Sequence, residues 1–277
     1  MGTPSYGTPR QHLRCSGVAF CSTNLMVGGQ MARILITGSA GGLGRAAALA
    51  LISVGHEVIV HARSARRLAA AEDLVGRGAY AVVGDLVDLD QTRAMADEVN
   101  RLGPIDALIH NAGVYSGPHI MPVNVVAPYL LTALVHPPQR LVYLSSGMHR
   151  GGRPDVTGVD WSGRRATGSY SDSKLFVTTL AFAVARLRPG VYSNAVDPGW
   201  VPTSMGGPGA PDDLRLGHVT QSWLATSDEP EALTSGGYWF HQRLHTPHPA
   251  VRDTAFQDSL LAALGRFTAV PWPETPT

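Results

Sequence analysis

Residues 33–44, RILITGSAGGLG, place a short apolar run directly before a glycine-rich turn. Gly38, Gly42 and Gly44 give the spacing G-x-x-x-G-x-G, and the Ala- and Leu-rich stretch 46–54 follows. A strand, a tight glycine turn and a helix in this order form a site where backbone N–H groups and the helix dipole bind phosphate. A glycine-rich loop without chemical meaning is the alternative, because three glycines alone are a weak signal. The position between a strand and a helix favours a nucleotide site.

Apolar, strand-like runs alternate with helix-like stretches along the chain. The predicted strands cover 33–37, 57–61, 79–83, 105–109, 140–144, 191–196 and 237–240, and the predicted helices cover 46–54, 65–75, 89–102, 125–135, 169–187 and 254–267. Such alternation predicts βαβ units, so we expect one α/β domain with a doubly wound, Rossmann-like parallel sheet over residues 31–277. In sheets of this kind ligands bind at the carboxyl ends of the strands.

Composition excludes several classes of protein. The 277 residues include 22 basic and 21 acidic side chains, which leaves no basic excess for nucleic acid. No apolar run reaches the roughly 20 residues of a membrane span. Residues 1–30 contain both cysteines and no acidic residue, and we expect a disordered N-terminal extension there. A domain without cysteine cannot use disulfides, cysteine-bound zinc or thiol catalysis, so we expect no metal site and a cytoplasmic protein.

An arginine follows the second predicted strand. Arg63 lies 19 residues after Gly44, where a site for NAD carries an acidic residue that binds the ribose 2′-hydroxyl. The next acidic residue is Glu72, whereas Arg66 and Arg67 are close by. A guanidinium binds a 2′-phosphate through paired hydrogen bonds. A solvated basic stretch at a helix start is the alternative, but the pattern favours NADP(H) over NAD(H).

Tyr170 and Lys174 lie four residues apart on the predicted helix 169–187, so their side chains share a face. A free phenol has a pKa near 10, and a neighbouring ammonium lowers it by stabilising the phenolate. Tyr170 could then exchange a proton with a carbonyl or an alcohol. A surface pair on an amphipathic helix is the alternative. However, Lys174 is the only lysine among 22 basic residues, and Ser146 follows a strand where a hydroxyl could hold the substrate oxygen.

Further motifs occur in a recognisable order. They are TGSAGGLG at 37–44, GDL at 84–86, NAG at 111–113, Asn124, LSS at 144–146, YSDSK at 170–174 and DPGWVPT at 197–203. Together they resemble the short-chain dehydrogenase/reductase superfamily. The stretch LSSGMHRGG and the 24-residue separation of Ser146 from Tyr170 are most similar to its retinol-dehydrogenase-like branch.

The resemblance implies roles for individual residues. The catalytic residues would be Ser146, Tyr170, Lys174 and Asn124, the last one holding a water that links Lys174 to solvent. The cofactor-binding residues would be Gly38, Ser39, Gly42, Leu43 and Gly44 at the pyrophosphate, Arg63 at the 2′-phosphate, Asp85 and Leu86 at the adenine, Asn111, Ala112 and Gly113 under the nucleotide, Tyr170 and Lys174 at the ribose, and Pro198, Gly199, Val201 and Thr203 at the nicotinamide end.

Some segments depart from the family pattern or are less constrained by it. Asn124 follows Asn111 by only 13 residues and precedes Ser146 by only 22. These short separations put the position of Asn124 in question. They also shorten helices that usually pack against a partner subunit, so a homodimer is one possibility. Residues 202–228 are rich in Pro, Gly and Asp and are predicted to form a substrate lid. The candidates for an apolar pocket are Trp161, Trp200, Met205 and Trp223, each of which is as readily a structural residue. His149 is a candidate substrate contact, although a single histidine is more often a polar loop residue.

These observations predict an NADP(H)-dependent oxidoreductase. It would transfer a hydride between the nicotinamide and a hydroxyl or carbonyl group of a small apolar substrate, with carbonyl reduction favoured. The alternative is a non-catalytic NADP(H)-binding sensor or scaffold protein.

Overall fold

An eight-stranded sheet forms the centre of the computed structural model, which describes residues 31–272. The strands are β1 (Arg33–Ile36), β2 (Glu57–Ala62), β3 (Tyr80–Val83), β4 (Ala107–His110), β5 (Arg140–Leu144), β6 (Tyr192–Asp197), β7 (Tyr238–Phe240) and β8 (Arg243–Leu244). Their order is β3-β2-β1-β4-β5-β6-β7-β8, and every pair is parallel except β7 with β8. The predicted doubly wound fold is confirmed. The expectation for residues 1–30 lies outside the described residues.

Helices cover both faces of the sheet. They are α1 (Gly42–Ser53), α2 (Ala65–Leu68), α3 (Glu72–Val75), α4 (Leu89–Leu102), α5 (Ala127–Leu134), α6 (Tyr170–Leu187), α7 (Val219–Thr226) and α8 (Thr254–Thr268). Leu35 of β1 packs in one apolar core with α4, α5, α6 and α8, whereas Ile34 and Ile36 pack in the other core with α1 and α7. Because both faces are covered, the strands read as continuous apolar runs.

Two predicted helices differ from the structure. The stretch 65–75 is interrupted by a 3₁₀ turn, Ala69–Ala71, because the backbone leaves helical geometry at Ala71. The helix predicted at 125–135 ends one residue earlier and is preceded by a short π-helical turn, Pro122–Val126. Turns of this type often occur at functional sites, and this one contains Asn124.

Helix α6 is fixed at its start and enclosed along its length. Ser169 caps it, and Asp172 completes a reciprocal capping box, which sets the first turn where Tyr170 lies. Every residue from Asp172 to Val184 is buried. The outer side of α6 is covered by α8 and by the turn Pro249–Arg252, so the helix that carries Tyr170 and Lys174 is internal to the chain.

Candidate active site

The glycine turn leaves backbone N–H groups available at the start of α1. Gly41 occupies the N-cap position without any side-chain cap, and the first turn contains no acidic residue. Gly38 and Gly42 have φ values of +68° and +56°, a region that favours glycine. A Cβ at Gly44 would overlap Nδ2 of Asn111. The turn therefore fits an anion at its N–H groups, because no side chain of its own occupies that position.

Ser39 differs from its predicted role at the pyrophosphate. Its side chain is fully buried, donates a 2.8 Å hydrogen bond to the carbonyl oxygen of Ile36, and accepts one of 2.8 Å from the backbone N–H of His61. His61 in turn accepts from the N–H of Gly38 through Nδ1, at 2.9 Å, and bonds the carbonyl of Gly84 through Nε2. Ser39 and His61 thus fix the backbone of the glycine turn through hydrogen bonds on its buried side.

A crevice of about 560 Å³ extends from this turn along the carboxyl ends of the strands. The predicted cofactor-binding residues that line it are Gly38, Gly42, Leu43, Arg63, Asp85, Leu86, Asn111, Ala112, Gly113, Tyr170, Lys174, Pro198 and Thr203. Ser39 and Gly44 do not line it, and Gly199 and Val201 line the neighbouring cavity instead. Its shape and its glycine turn fit a dinucleotide.

Arg63 lies at the adenine end of the crevice, where Arg67 also lines the wall. The Arg63 side chain is exposed and makes no hydrogen bond or ion pair with any described residue. Arg66 does not line the crevice. Two guanidinium groups are therefore available to a phosphate at this end.

Tyr170 lies where the crevice meets a second cavity of about 700 Å³. Burial raises the pKa of Tyr170 to about 12, while a hydrogen bond with the Ser146 side chain acts in the opposite direction. Removal of the hydroxyl from water is the largest cause of the raised pKa. The Lys174 ammonium lies 5.5 Å from the centre of the phenol ring, and its predicted lowering of this pKa stays a prediction. Tyr170 is thus a protonated group at neutral pH.

Lys174 is buried between α6 and the sheet. Its ammonium donates a 2.7 Å hydrogen bond to the carbonyl oxygen of Leu144, the last residue of β5. Burial lowers the pKa of Lys174 to about 8, and Asp197 acts against that shift. Lys174 therefore ties the catalytic helix to the strand that precedes Ser146.

Asn124 lies beside Lys174 despite its short separation from the NAG motif. Its side chain bonds both backbone groups of Val114, at 2.8 and 3.0 Å, and donates to Ser173 Oγ at 2.9 Å. A Cβ at Gly113 would lie 3.4 Å from Asn124 Oδ1 and 3.7 Å from Lys174 Nζ, so both side chains flank Gly113. Both the oxygen and the nitrogen of the Asn124 side chain are therefore hydrogen-bonded to protein groups, and its role in holding a water stays a prediction.

The second cavity has mostly apolar and aromatic walls. Of the four pocket candidates, Trp200 and Met205 line it, and Met205 Sδ lies 3.9 Å from the Tyr170 hydroxyl. Trp161 packs against Phe176, and Trp223 packs against Trp239, both away from the cavity. These two tryptophans therefore belong to the hydrophobic cores.

His149 is fully buried and does not line the cavity. It donates through Nδ1 to the carbonyl oxygen of Ser146 at 2.8 Å and accepts through Nε2 from the N–H of His248 at 3.0 Å. It therefore fixes the backbone of Ser146 against the chain near β8. The sequence left a substrate contact and a polar loop residue open for His149, because its partner His248 lies 99 residues away along the chain.

Sequence reasoning assigned no role to several cavity residues, and three of them matter for the chemistry below. They are Tyr115, Asp197 and Phe240. Tyr115 packs its ring 4.8 Å from that of Tyr170. Asp197 stands at the first position of the DPGWVPT motif, which was the available signal, but the motif was assigned entirely to the nicotinamide end.

Fold and site together define a nucleotide-dependent oxidoreductase. A family model described as short chain dehydrogenase matches residues 32–143. The short-chain dehydrogenase chyC of Penicillium rubens is 35% identical over 88% of this chain and 100% of its own length. A Streptomyces protein provisionally named the daunorubicin C-13 ketoreductase DnrU is 31% identical over 87% of this chain and 88% of its own. The chain belongs to the short-chain dehydrogenase/reductase superfamily and is an enzyme of that class.

The predicted likeness to the retinol-dehydrogenase-like branch is also seen among the relatives. Human retinol dehydrogenase 13 is 30% identical over 62% of this chain and 60% of its own length. Among solved structures, an uncharacterised protein from Mycobacterium paratuberculosis has a TM-score of 0.70 at 22% identity, covering 88% of this chain and 99% of that one. A Shigella flexneri short-chain dehydrogenase complexed with NADP has a TM-score of 0.61 at 23% identity, covering 76% and 97%. These structures share the fold.

Within residues 31–272, no helix is long and apolar enough to cross a membrane. The same residues contain no group of three or more His, Cys, Asp or Glu side chains arranged for a metal ion.

Proposed function

We propose that this enzyme reduces carbonyl compounds with NADPH. The observation that carries the proposal is the position of Tyr170, which lines both the dinucleotide crevice and the second cavity. A group with a pKa of about 12 is a proton donor at neutral pH, which suits reduction of a carbonyl. The ketoreductase name of the Streptomyces relative supports the same direction.

The reaction needs one hydride and one proton. When bound, NADPH would supply the hydride for the new C–H bond at the carbonyl carbon and would become NADP⁺. Tyr170 gives its hydroxyl proton to the carbonyl oxygen, the C=O double bond becomes a C–O single bond, and the phenolate then regains a proton from solvent. Ser146 donates a hydrogen bond to the oxygen as negative charge develops there.

Other residues of the chain hold these groups in place. Lys174 bonds Leu144 and lines the crevice, and its remaining N–H donors would be available to the ribose hydroxyls of a bound cofactor. His149 holds the backbone of Ser146. Met205 Sδ lies 3.9 Å from the Tyr170 hydroxyl. Met205 belongs to the predicted lid, 202–228, so this contact supports a lid over the reacting position.

NADP preference rests on Arg63 and Arg67 at the adenine end of the crevice. Both guanidinium groups suit a 2′-phosphate. The NADP complex of the Shigella flexneri neighbour supports this choice. A cytoplasmic location stays a prediction.

The test is NADPH oxidation by the purified protein with a panel of aldehydes and ketones, followed at 37 °C or below and repeated for Tyr170→Phe. We expect the phenylalanine variant to bind NADPH, seen by fluorescence, and to lose nearly all turnover. Tyr80→Phe, an exposed tyrosine on β3, is the matched control and should keep full activity. Full activity of the Tyr170 variant contradicts the mechanism. NADPH binding without turnover on any carbonyl supports the sensor or scaffold alternative.

A further inference from the structure

A carboxylate faces the reacting position from the second cavity, and no step of the reduction uses it. Asp197 is the last residue of β6, and it lines that cavity together with Tyr170 and Ser146. We propose, on the basis of the carbonyl reduction proposed above, that Asp197 selects aromatic ketones or aldehydes that carry a protonated amine. The substrate class is then an amino ketone or amino aldehyde with an apolar body.

The position of the carboxylate is fixed by two hydrogen bonds. Oδ1 accepts from the backbone N–H of Gly199 at 3.1 Å, and Oδ2 accepts from the hydroxyl of Tyr238 at 2.9 Å. Gly147 contributes the space beside it, because a Cβ there would lie 3.1 Å from Oδ2. Asp197 is half-buried and forms no ion pair with a described residue. Its charge acts on Lys174 in the neighbouring crevice, and its oxygens keep lone pairs for a ligand in this cavity.

Nearby positive groups lie outside the cavity. Arg150 lies over the ring of Tyr238, 5.3 Å from its centre, and donates to the carbonyl of Thr246 at 2.9 Å. Lys174 lines the dinucleotide crevice and not this cavity. No Arg, Lys or His side chain is among the described residues that line the second cavity. An anionic substrate would therefore find no partner here.

A second carboxylate strengthens the same preference. Asp212 lines the cavity and accepts a 2.6 Å hydrogen bond from the backbone N–H of Trp200. Asp197 and Asp212 thus flank the turn at Gly199 and Trp200. Negative charge beside Tyr170 opposes formation of its phenolate, and Asp197 does raise the pKa of that phenol. A cationic substrate offsets this effect, whereas a neutral one does not.

The walls of the cavity fit an aromatic cation as well. Its apolar and aromatic side chains include Tyr115, Met148, Trp200, Met205 and Phe240. Aromatic faces attract an ammonium group, and apolar surroundings strengthen a charge-assisted hydrogen bond to a carboxylate. Tyr115, Met148, Trp200 and Met205 are exposed at the cavity mouth, so a ring can approach from solvent.

The experiment compares the reduction of three acetophenones that differ in one ring substituent, which is aminomethyl, hydroxymethyl or carboxylate. The substituent is at the same ring position in all three, and the series is made once for the meta and once for the para position. At pH 7 we expect kcat/KM for the aminomethyl ketone to exceed the hydroxymethyl value roughly tenfold and the carboxylate value roughly a hundredfold. Asp197→Asn keeps an acceptor for the Gly199 N–H but removes the charge. It should lower the aminomethyl-to-hydroxymethyl ratio roughly tenfold. Asp213→Asn, next to Asp212 but outside the cavity and paired with Arg215, should leave the ratio unchanged.

Binding of non-reducible probes supplies an independent readout. Calorimetry with benzylamine, benzyl alcohol and benzoate should give the same order of affinity in the wild-type protein, whether or not the Asp197 variant folds. Benzoate binding as tightly as benzylamine, or an unchanged ratio in a folded Asp197→Asn protein, overturns the role of Asp197. A wild-type protein that reduces none of the three ketones with NADPH overturns the proposed reductase function instead, and the binding order then still decides the selection by Asp197.

Discussion

The ammonium of Lys174 donates a 2.7 Å hydrogen bond to the carbonyl oxygen of Leu144, which joins helix α6 to the end of strand β5. Tyr170 stands one helical turn before the lysine, and Ser146 follows Leu144 by two residues. This buried contact, together with the 2.6 Å hydrogen bond between Ser145 and Thr178, holds in place the two hydroxyl groups that would hold the substrate oxygen. It also gives the chain's only lysine a structural task beside its proposed catalytic one.

Replacement of Lys174 should affect catalysis and stability together. Lys174→Met leaves the Leu144 carbonyl buried without a donor, which costs about 1–3 kcal/mol of unfolding free energy. Loss of the ammonium beside the phenol should lower kcat roughly 10²–10⁴-fold. Stopped-flow turnover and thermal unfolding check both effects. Arg266→Met on the exposed face of α8 is the control, and equal behaviour of the two variants would contradict the assignment.

Chemical labelling of Lys174 should follow its ionisation. The pKa is lowered to about 8 by burial, so the reactive neutral amine becomes populated as the pH rises from 7 to 9. Within residues 31–272, a lysine-selective reagent has this one side chain to modify. Mass spectrometry should locate the label at Lys174, and NADPH should slow the reaction. Labelling at the same rate with saturating NADPH would place the lysine outside the nucleotide site.

Two glycines of the phosphate turn should differ sharply in tolerance. A Cβ at Gly44 would overlap Nδ2 of Asn111 and lie 2.9 Å from the carbonyl oxygen of Gly38, whereas a Cβ at Gly41 meets no atom within 4 Å. We expect Gly44→Ala to lose about 1–3 kcal/mol of stability and to bind NADPH weakly. Gly41→Ala should fold like the wild type. Similar melting temperatures for the two variants would show that the turn adapts.

Arg63 should govern the choice between the two nicotinamide cofactors. Arg63→Ala removes a guanidinium that is exposed at the crevice, so KM for NADPH should rise roughly tenfold or more while KM for NADH changes little. Arg67→Ala should have the same direction of effect, since that side chain lines the same wall. Steady-state kinetics with both cofactors provide the measurement. Equal use of NADPH and NADH by the wild type would refute the NADP preference.

Stability should fall in mild acid because of buried histidines. Burial lowers the pKa of His61 and His149, and it lowers the pKa of His110 to about 3. These histidines take up protons near pH 6.5 in the unfolded chain but only at lower pH in the folded chain. Their contribution to the free energy of unfolding is therefore fully present above pH 6.5 and is lost as the pH falls below it. The slope is about 1.4 kcal/mol per pH unit for each histidine. Unfolding measured from pH 8 to pH 5 should show it, and a constant melting temperature would argue against neutral burial.

A monomer is the expected assembly in solution. Helix α6 is buried from Asp172 to Val184 under α8, and the exposed side of α8 carries polar or small residues such as Asp258, Ser259 and Arg266. Neither helix presents a broad apolar face to a second copy. Light scattering coupled to size exclusion measures the mass directly, and a dimer would have to form through another surface.

The local pattern of the sequence was sufficient for the fold. Short apolar strands, helix-length stretches and the G-x-x-x-G-x-G turn predict the doubly wound sheet, because strand and helix periodicity and glycine geometry are local properties. The same pattern located Tyr170, Lys174 and Ser146, since a helix turn and a strand end fix their surroundings. It also located Arg63 at the end of β2.

Only the tertiary structure decided what surrounds those groups. Asp197 joins the cavity through Tyr238, 41 residues further along the chain, and His149 reaches Ser146 and His248 at once. Ser39 points inward because its hydroxyl satisfies backbone groups of two adjacent strands. The pKa of Tyr170 is set by its burial, which depends on segments far apart in the sequence. Contacts between distant segments determine solvation and charge, and spacing along the chain does not encode them.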